Sequence, residues 1–475
     1  MKSEIGGILL VQTPPWGLTT FPLGISYLAA YLRAQMVPVR VFDMNIELYN
    51  SVPQELQERW SNNEFEYWAR GTVLEEGAID VTALVKKIMS FKAEIIGFST
   101  TFASIPFFNA VAEKVRTISK EVTIVVGGAG PAYKIHRNFF RRDLIDYFII
   151  GEGEVLFGEL IKKIKKGNVS FNNVECAQWK DNPQDKALCL QSKTPVDINT
   201  LPVPYFGGFN IDLYTEKDLL PIIASRGCVN ACNFCCDWLL KRPFRSRRPE
   251  LILEEIQLLI SRYGRRRFEF SDLLINGHLE HLNTLCDLLI QAGSPIVWGG
   301  QAAVRSDMQP DLFVKMKKAG CGSLTFGFES FSNPLLQKMN KRFTAEAAAQ
   351  AVRWAKEAGM LVEANLIVGF PGEEEDDVDA TIDFLKNNRP FIDRVNSLNI
   401  CSVGPGMTVW ESALDFGIDK NIVEDWYGWH TADCSNTLQV RLERHKKIKE
   451  YIDGEQFGLA WENIRKNEEV VKDTL

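Results

Sequence analysis

Three cysteines stand close together in the run Ser225-Arg226-Gly227-Cys228-Val229-Asn230-Ala231-Cys232-Asn233-Phe234-Cys235. Thiolates are ligands for soft metal centres, and a four-iron cluster is ordinarily held by four of them. Three on one short loop would hold three irons and leave the fourth open to another ligand. Zinc is the competing reading, but it takes four ligands, usually in two pairs. Here the nearest fourth thiol is Cys236, adjacent residues rarely reach one ion together, and no second pair follows. Plain core packing is the blandest alternative. The five histidines are His136, His278, His281, His430 and His445. His278 and His281 lie three apart on an expected helix, and a solvated helix face suits them better than a metal site.

Stepping outward, the chain has 475 residues, which at roughly 150 residues per domain suggests about three units. A hydrophobic fraction of 45% and a charged fraction of 24% are those of an ordinary globular protein and exclude a disordered chain. Lys and Arg total 54 against 61 Asp and Glu, a formal charge of -7. That balance argues against a protein that wraps nucleic acid. No apolar run approaches the ~18 residues of a membrane span. The start of the chain, too short and acidic for a signal peptide, runs into Pro14 and Pro15, so a cytoplasmic location is expected. There ten cysteines are unsuited to a disulfide framework and point to metal chemistry or core filling.

The elements that must position such a loop follow from hydrophobic patterning. Apolar runs at Ile8–Val11, Val39–Phe42, Ile95–Phe98, Ile124–Val126 and Tyr147–Ile150 predict buried parallel strands, with helices at Leu23–Gln35, Phe107–Ser119 and Glu154–Lys166. A helical insertion is expected between Glu47 and Phe91. This alternation predicts an α/β, doubly wound, Rossmann-like domain over residues 1–167. Residues 168–217 read as a linker with a small hairpin. A second alternation, over 218–413, places strands at Pro221–Ser225, Phe268–Ser271, Ile296–Trp298, Ser323–Phe328, Leu361–Val368 and Val395–Cys401. Six such units suit a partial, TIM-like (β/α)6 barrel, with functional residues on loops at the carboxyl ends of its strands. Residues 414–475 are expected to form a mainly helical C-terminal domain.

At the cysteine loop the sequence resembles the radical S-adenosylmethionine (SAM) superfamily, whose C-x3-C-x2-C motif binds a [4Fe–4S] cluster with an open iron for SAM. The resemblance assigns Cys228, Cys232 and Cys235 to the metal. Gly327-Phe328-Glu329-Ser330 looks like the family's G-x-E, which meets the methionine end of SAM. Ile367-Val368-Gly369-Phe370-Pro371-Gly372-Glu373 looks like the segment packed near adenine, and Arg305 is a further expected partner for the SAM carboxylate. The first domain resembles the cobalamin-binding domain of the B12-dependent branch. The carrying residues are Thr13-Pro14-Pro15, Ser99-Thr100-Thr101, Gly127-Gly128 and Gly151-Glu152-Gly153-Glu154, all at expected strand ends. The second strand ends Asp43-Met44-Asn45-Ile46-Glu47 without the D-x-H-x-x-G histidine of mutases, so no histidine lower ligand is expected. Asn45, Thr100 and Thr101 are the residues weighed for that face.

The resemblance implies an enzyme carrying a [4Fe–4S] cluster, SAM and cobalamin. It would transfer a methyl group from methylcobalamin to an unactivated carbon of a metabolite or a protein or peptide side chain, by way of a 5'-deoxyadenosyl radical. A cobalamin-dependent cyclase or ring-rearranging enzyme without net methylation is the first alternative. A cobalamin-binding or sensing protein with a structural cluster is the second. An electron donor such as flavodoxin or ferredoxin is implied as partner.

Overall fold

The structure, a computed structural model, describes residues 7–60, 65–77, 79–167, 174–178, 187–237, 243–293, 295–418 and 426–457. The chain forms two compact units, divided between Pro221 and Ile222.

The first unit is built on strands β1 (Ile8–Gln12), β2 (Val39–Asp43), β3 (Ile95–Thr100), β4 (Thr123–Gly128), β5 (Tyr147–Ile150), β6 (Val174–Gln178) and β7 (Leu188–Ser192), in the order β2-β1-β3-β4-β5-β7-β6. β1 through β5 run parallel. Every residue of β1 is buried because both sheet faces are covered, which is why it reads as an unbroken apolar run. On one face Ile25, Ala29 and Leu32 pack with Leu156, Phe157 and Leu160; on the other Met44, Val85, Ile88, Phe107, Phe108 and Val111 form the core. The chain leaves β1 for β2 on one side and later places β3 on the other, and the crevice of such a sheet opens at the carboxyl ends of β1 and β3.

One difference from the sequence reading concerns residues 168–217. The expected hairpin is present, but β7 pairs parallel with β5 and antiparallel with β6, so it extends the first sheet rather than standing in a linker. An unpaired β5 would be an open edge, and the hairpin covers it. Further along, Tyr214 donates its hydroxyl to Asp43 at 2.6 Å, fastening that segment to the end of β2.

The second unit carries β8 (Leu219–Ile222), which begins just before the division, then β9 (Ser225–Arg226), β10 (Arg245–Ser246), β11 (Arg267–Phe270), β12 (Val297–Ala302), β13 (Cys321–Glu329), β14 (Leu361–Val368) and β15 (Arg394–Ile400). Six of these form one sheet in the order β15-β14-β13-β12-β11-β8, and β9 and β10 make a separate antiparallel pair. Helices Pro249–Tyr263, Leu279–Ala292, Pro310–Lys318, Ala345–Glu357 and Glu375–Asn387 connect the large strands. Along β11 and β13 the most buried side chains alternate with polar ones: Phe268 and Phe270 with Glu269, Leu324 and Phe326 with Thr325. The polar set is cross-linked between strands. Thr325 and Arg394 both bond Glu363, and Asn396 and Ser397 both donate to Asn365. The tail expected to form its own domain belongs to this unit: helix Leu438–Gly454 packs on β15, β14 and helix Glu375–Asn387. Among the described residues no helix is long and apolar enough to cross a membrane.

Glu269 is pushed up to about 7 by burial and by the neighbouring carboxylates Glu363 and Asp272. A carboxyl raised above its unfolded value keeps its proton longer in the folded state, so its contribution is largest at low pH and is lost as pH rises through about 7. Glu269→Gln is therefore expected to raise the thermal unfolding midpoint at pH 8 relative to the parent, by roughly 2–4 °C per kcal/mol recovered, and to leave it nearly unchanged at pH 5. Melting curves at the two pH values check this.

Candidate functional site

The cysteine loop leaves β9 through Gly227, whose φ of +92° only glycine adopts freely. From there to Cys236 it has no regular structure and is held by hydrogen bonds at several points. Asn233 N donates to Met339 O at 3.0 Å and Asn233 Nδ2 to Lys338 O at 2.8 Å, while Asn340 Nδ2 donates to Ala231 O at 2.6 Å. On another side Val409 N donates to Asn233 O at 3.0 Å, and within the loop Cys235 N donates to Cys232 O. The loop is thus pinned to the corner after helix Asn333–Lys338.

Cys232 is buried, and Cys228 and Cys235 are half-buried. Burial raises the thiols of Cys228 and Cys232 above their ordinary range. Cys236 turns instead into the apolar cluster of Phe370, Cys401 and Met407. Among the described residues no group of three or more Cys, His, Asp or Glu side chains is gathered to hold a single metal ion. In an iron–sulfur cube each thiolate binds a different iron, and three thiols on one pinned loop supply that donor set.

Glu329 ends β13 with φ +70°, a left-handed conformation rare outside glycine, so its carboxylate is set by the backbone as well as by its bonds. It accepts from Lys341 Nζ at 3.1 Å, and the same ammonium donates to Gly327 O at 2.8 Å. Ser330, almost fully buried, accepts from Ser332 N. Gly369 has φ +83°, donates to Glu373 Oε2 at 2.7 Å, and lies so close to Arg441 that a β-carbon would stand 2.2 Å from its Cγ. Arg441 is fully buried, stacks at 3.9 Å over Trp429, and donates to the carbonyls of Tyr427, Trp429 and Asn436. Burial pushes Glu373 up to about 8 although Arg444 opposes the shift. The aromatic tail is therefore core: Trp429 is buried with its indole N–H on Cys401 O, and Trp426 covers Gly404.

Arg305 does not stand free for a ligand. Its guanidinium is bidentate to Asp307 at 2.8 and 2.6 Å and donates to the carbonyls of Asn276 and Gly277. The cation beside Glu329 is Lys341, which sequence reasoning passed over because Met339-Asn340-Lys341-Arg342 reads as a surface turn. His278 caps helix Leu279–Ala292 and stacks on His281, which bonds Ser246 at 2.8 Å; both rings serve structure.

In the first unit, Ser99, Thr100, Gly127 and Gly128 lie in register at the ends of β3 and β4. Ser99 O accepts from Thr13 N and Oγ1, and Thr100 Oγ1 donates to Gly127 O at 3.0 Å. A β-carbon on Gly128 would stand 2.6 Å from Thr100 O, and one on Gly130 2.4 Å from Thr100 Oγ1, so these two positions must be bare of side chains. Gly151, φ +83°, faces open space, whereas Glu152 accepts from Val196 N at 2.9 Å and Gly153 packs on Leu28. Of the three residues weighed for the lower face, Asn45 is fully committed: it accepts from Trp16 N and Trp60 Nε1 and donates to the carbonyls of Trp16 and Gly17. The hydroxyl of Thr101 is buried without a hydrogen-bond partner among the described residues. An orphaned hydroxyl beside a glycine-lined turn at the crevice fits a large bound group. His136, the only histidine before residue 221, is buried against Phe102 at 4.3 Å, and burial lowers it to about 4.

Residues 222–385 match the family model of the radical SAM superfamily, and residues 72–161 that of the B12 binding domain. A Pyrococcus horikoshii protein described as an uncharacterized methyltransferase is 26% identical over 406 residues, spanning 84% of this chain and 79% of its own. The anaerobic magnesium-protoporphyrin IX monomethyl ester cyclase of Rubrivivax gelatinosus is 22% identical over 64% of this chain and 56% of its own. Among solved structures, OxsB, a cobalamin-dependent S-adenosylmethionine radical enzyme with aqua-cobalamin bound, shares the fold with a TM-score of 0.64 at 17% identity, over 87% of this chain and 56% of that one.

Gly369→Ala is expected to destabilise the protein by at least about 1–2 kcal/mol from the left-handed backbone alone, and by more because the methyl group displaces Arg441. Thermal unfolding should show the loss, and Gly151→Ala, with the same backbone sign but open space, should show a smaller one.

Proposed function

We propose that this chain, which is a cobalamin-dependent radical SAM enzyme, is a methyltransferase acting on an unactivated carbon. The observation that carries the proposal is the loop of three thiols, pinned to the corner that bears Lys341 and so kept with the carboxylate of Glu329. When bound, the cluster, SAM and cobalamin supply one-electron bond cleavage and a transferable methyl group. Cys228, Cys232 and Cys235 would each hold one iron, and the fourth iron site is left to SAM. Glu329, with one oxygen on Lys341, keeps another for the SAM ammonium, a charge-assisted hydrogen bond. Gly369, in the segment read as packing near adenine, is bare so that Arg441 can pack behind it, and Ser330 anchors the backbone after Glu329.

For cobalamin, Thr101 offers its hydroxyl, and Ser99, Thr100, Gly127, Gly128, Gly151 and Gly153 the close backbone surface; Glu152 shapes the turn through Val196. In this reading cobalt has no histidine lower ligand, since the second strand ends Asp43-Met44-Asn45 without one and His136 is buried against Phe102. Substrate would be a metabolite or a protein or peptide side chain, and the electron donor a flavodoxin or ferredoxin. A cyclase without net methylation is the second reading, favoured by the similarity to the Rubrivivax gelatinosus enzyme.

Anaerobic reconstitution with iron, sulfide and hydroxocobalamin tests the proposal. The expected results are a brown protein with a cobalamin spectrum, release of 5'-deoxyadenosine from SAM, and a substrate heavier by one methyl group. Cys232→Ala should lose the iron chromophore and SAM cleavage while keeping cobalamin. A product of unchanged mass selects the cyclase, and an iron-loaded protein that never cleaves SAM overturns both.

A further inference from the structure

Lys341 belongs to none of the motifs that mark the site, yet it is the cation at its centre. Its side chain is 10% exposed and that of Glu329 12%. Two of its three N–H groups are committed, to Gly327 O at 2.8 Å and Glu329 Oε1 at 3.1 Å. The ammonium also lies 5.3 Å from the ring centre of Phe234, the residue between Asn233 and Cys235, and 5.9 Å from that of Phe343. Its charge acts on Cys228, Cys232 and Cys235 as well as on Glu329. The backbone around it cannot drift, since Asn340 is bonded to Ala231 O and Lys338 O to Asn233.

A buried lysine ordinarily sheds its proton, because desolvation penalises the ammonium. Here the Glu329 carboxylate and the Gly327 carbonyl lie directly on the ammonium, an opposite charge and an acceptor that offset that penalty. Once the three cysteines are thiolates, one carboxylate and three sulfurs share the charge of this ammonium, to which Arg342 adds a further positive charge acting on Cys232. Each electron added to a cluster there adds one more negative charge, and a fixed cation in a medium poorer than water stabilises that state selectively.

We propose that Lys341 is a positioning residue that balances the charge of the iron–sulfur cluster and thereby raises its reduction potential, while holding the side chain of Glu329 in place. The inference rests on the reading that Cys228, Cys232 and Cys235 hold the cluster. It concerns the electron's destination rather than the reaction that follows, so it can be measured without any substrate.

The test uses the full chain reconstituted with iron and sulfide, without SAM, titrated with a low-potential chemical reductant and followed by electron paramagnetic resonance. Lys341→Met should bind iron and sulfide as the parent does but show a midpoint shifted to more negative potential, and Lys341→Arg should recover most of the shift. Glu329→Gln, which removes a negative charge from the same group, should move the midpoint the other way. A Lys341→Met protein with full iron and the parent's midpoint overturns the proposal. If Lys341→Met takes up no iron, Glu329→Gln decides: an upward shift supports the proposal, and an unchanged or lower midpoint overturns it. A parent protein that binds no cluster would sink the underlying reading instead, and the iron assay distinguishes the two failures.

Discussion

A lysine with almost no access to water is tolerable only if opposite charge is brought to it and kept there, and this requirement organises the centre of the second unit. Lys341 is reached by Glu329 from the end of β13 and faces the thiols of the cysteine loop. Neither neighbour could do this if the backbone were free to move, so the corner that carries Lys341 is bonded to the loop through Asn233 and Asn340. The left-handed Glu329 belongs to the same arrangement: the strand bends out of extended geometry where its carboxylate must turn toward the ammonium. The loop, the strand end and the corner behave as one electrostatic unit, and disturbing any of them exposes an unpaired charge to a poorly solvated site.

Much of this was legible from residue types, and for a physical reason. Three cysteines within eight residues stand out because an iron–sulfur cluster is ordinarily held by that residue type. The strands were equally readable, because a sheet covered on both faces demands continuous apolar runs such as Ile8–Val11. What escaped was pairing between residues distant in the chain. Lys341 is an ordinary lysine in a polar turn until β13 places Glu329 beside it. Arg305 looked available, but its guanidinium closes on Asp307 only two residues away. Asn45 and Thr100 were reasonable ligand residues, yet a small polar side chain at the end of a buried strand usually serves the backbone, and both do. The hairpin at β6 and β7 was visible as a hairpin, but its attachment to β5 depends on an edge that sequence pattern does not reveal.

The C-terminal segment shows how the far end of the barrel is secured. Arg441 donates to carbonyls of the 427–436 loop, with its stem against bare Gly369 and its plane on Trp429. Asn436 adds bonds to the carbonyls of Gly369 and Phe370, and Arg444 ties the same helix to Glu373 and Glu375. The turn after β14 is thus shaped from outside the sheet by residues about seventy positions later, and the tail is part of the barrel's construction.

The hydrogen-bonded rows on the inward faces of β13, β14 and β15 carry a separate implication for how this unit tolerates change. A barrel filled with interlocking hydrocarbon draws its rigidity from within. Here Glu363 ties Thr325 to Arg394 across three strands and Asn365 accepts from Asn396 and Ser397 across two, and the oily layer lies between strands and helices. Divergence within this scaffold should therefore be lopsided. Replacements of Asn396 or Ser397 would retune what the enclosure accepts at modest cost in melting temperature, whereas breaking the pair that buried Glu363 makes with Arg394, or replacing Phe268, Leu324 or Val362 on the opposite faces, would threaten the fold itself.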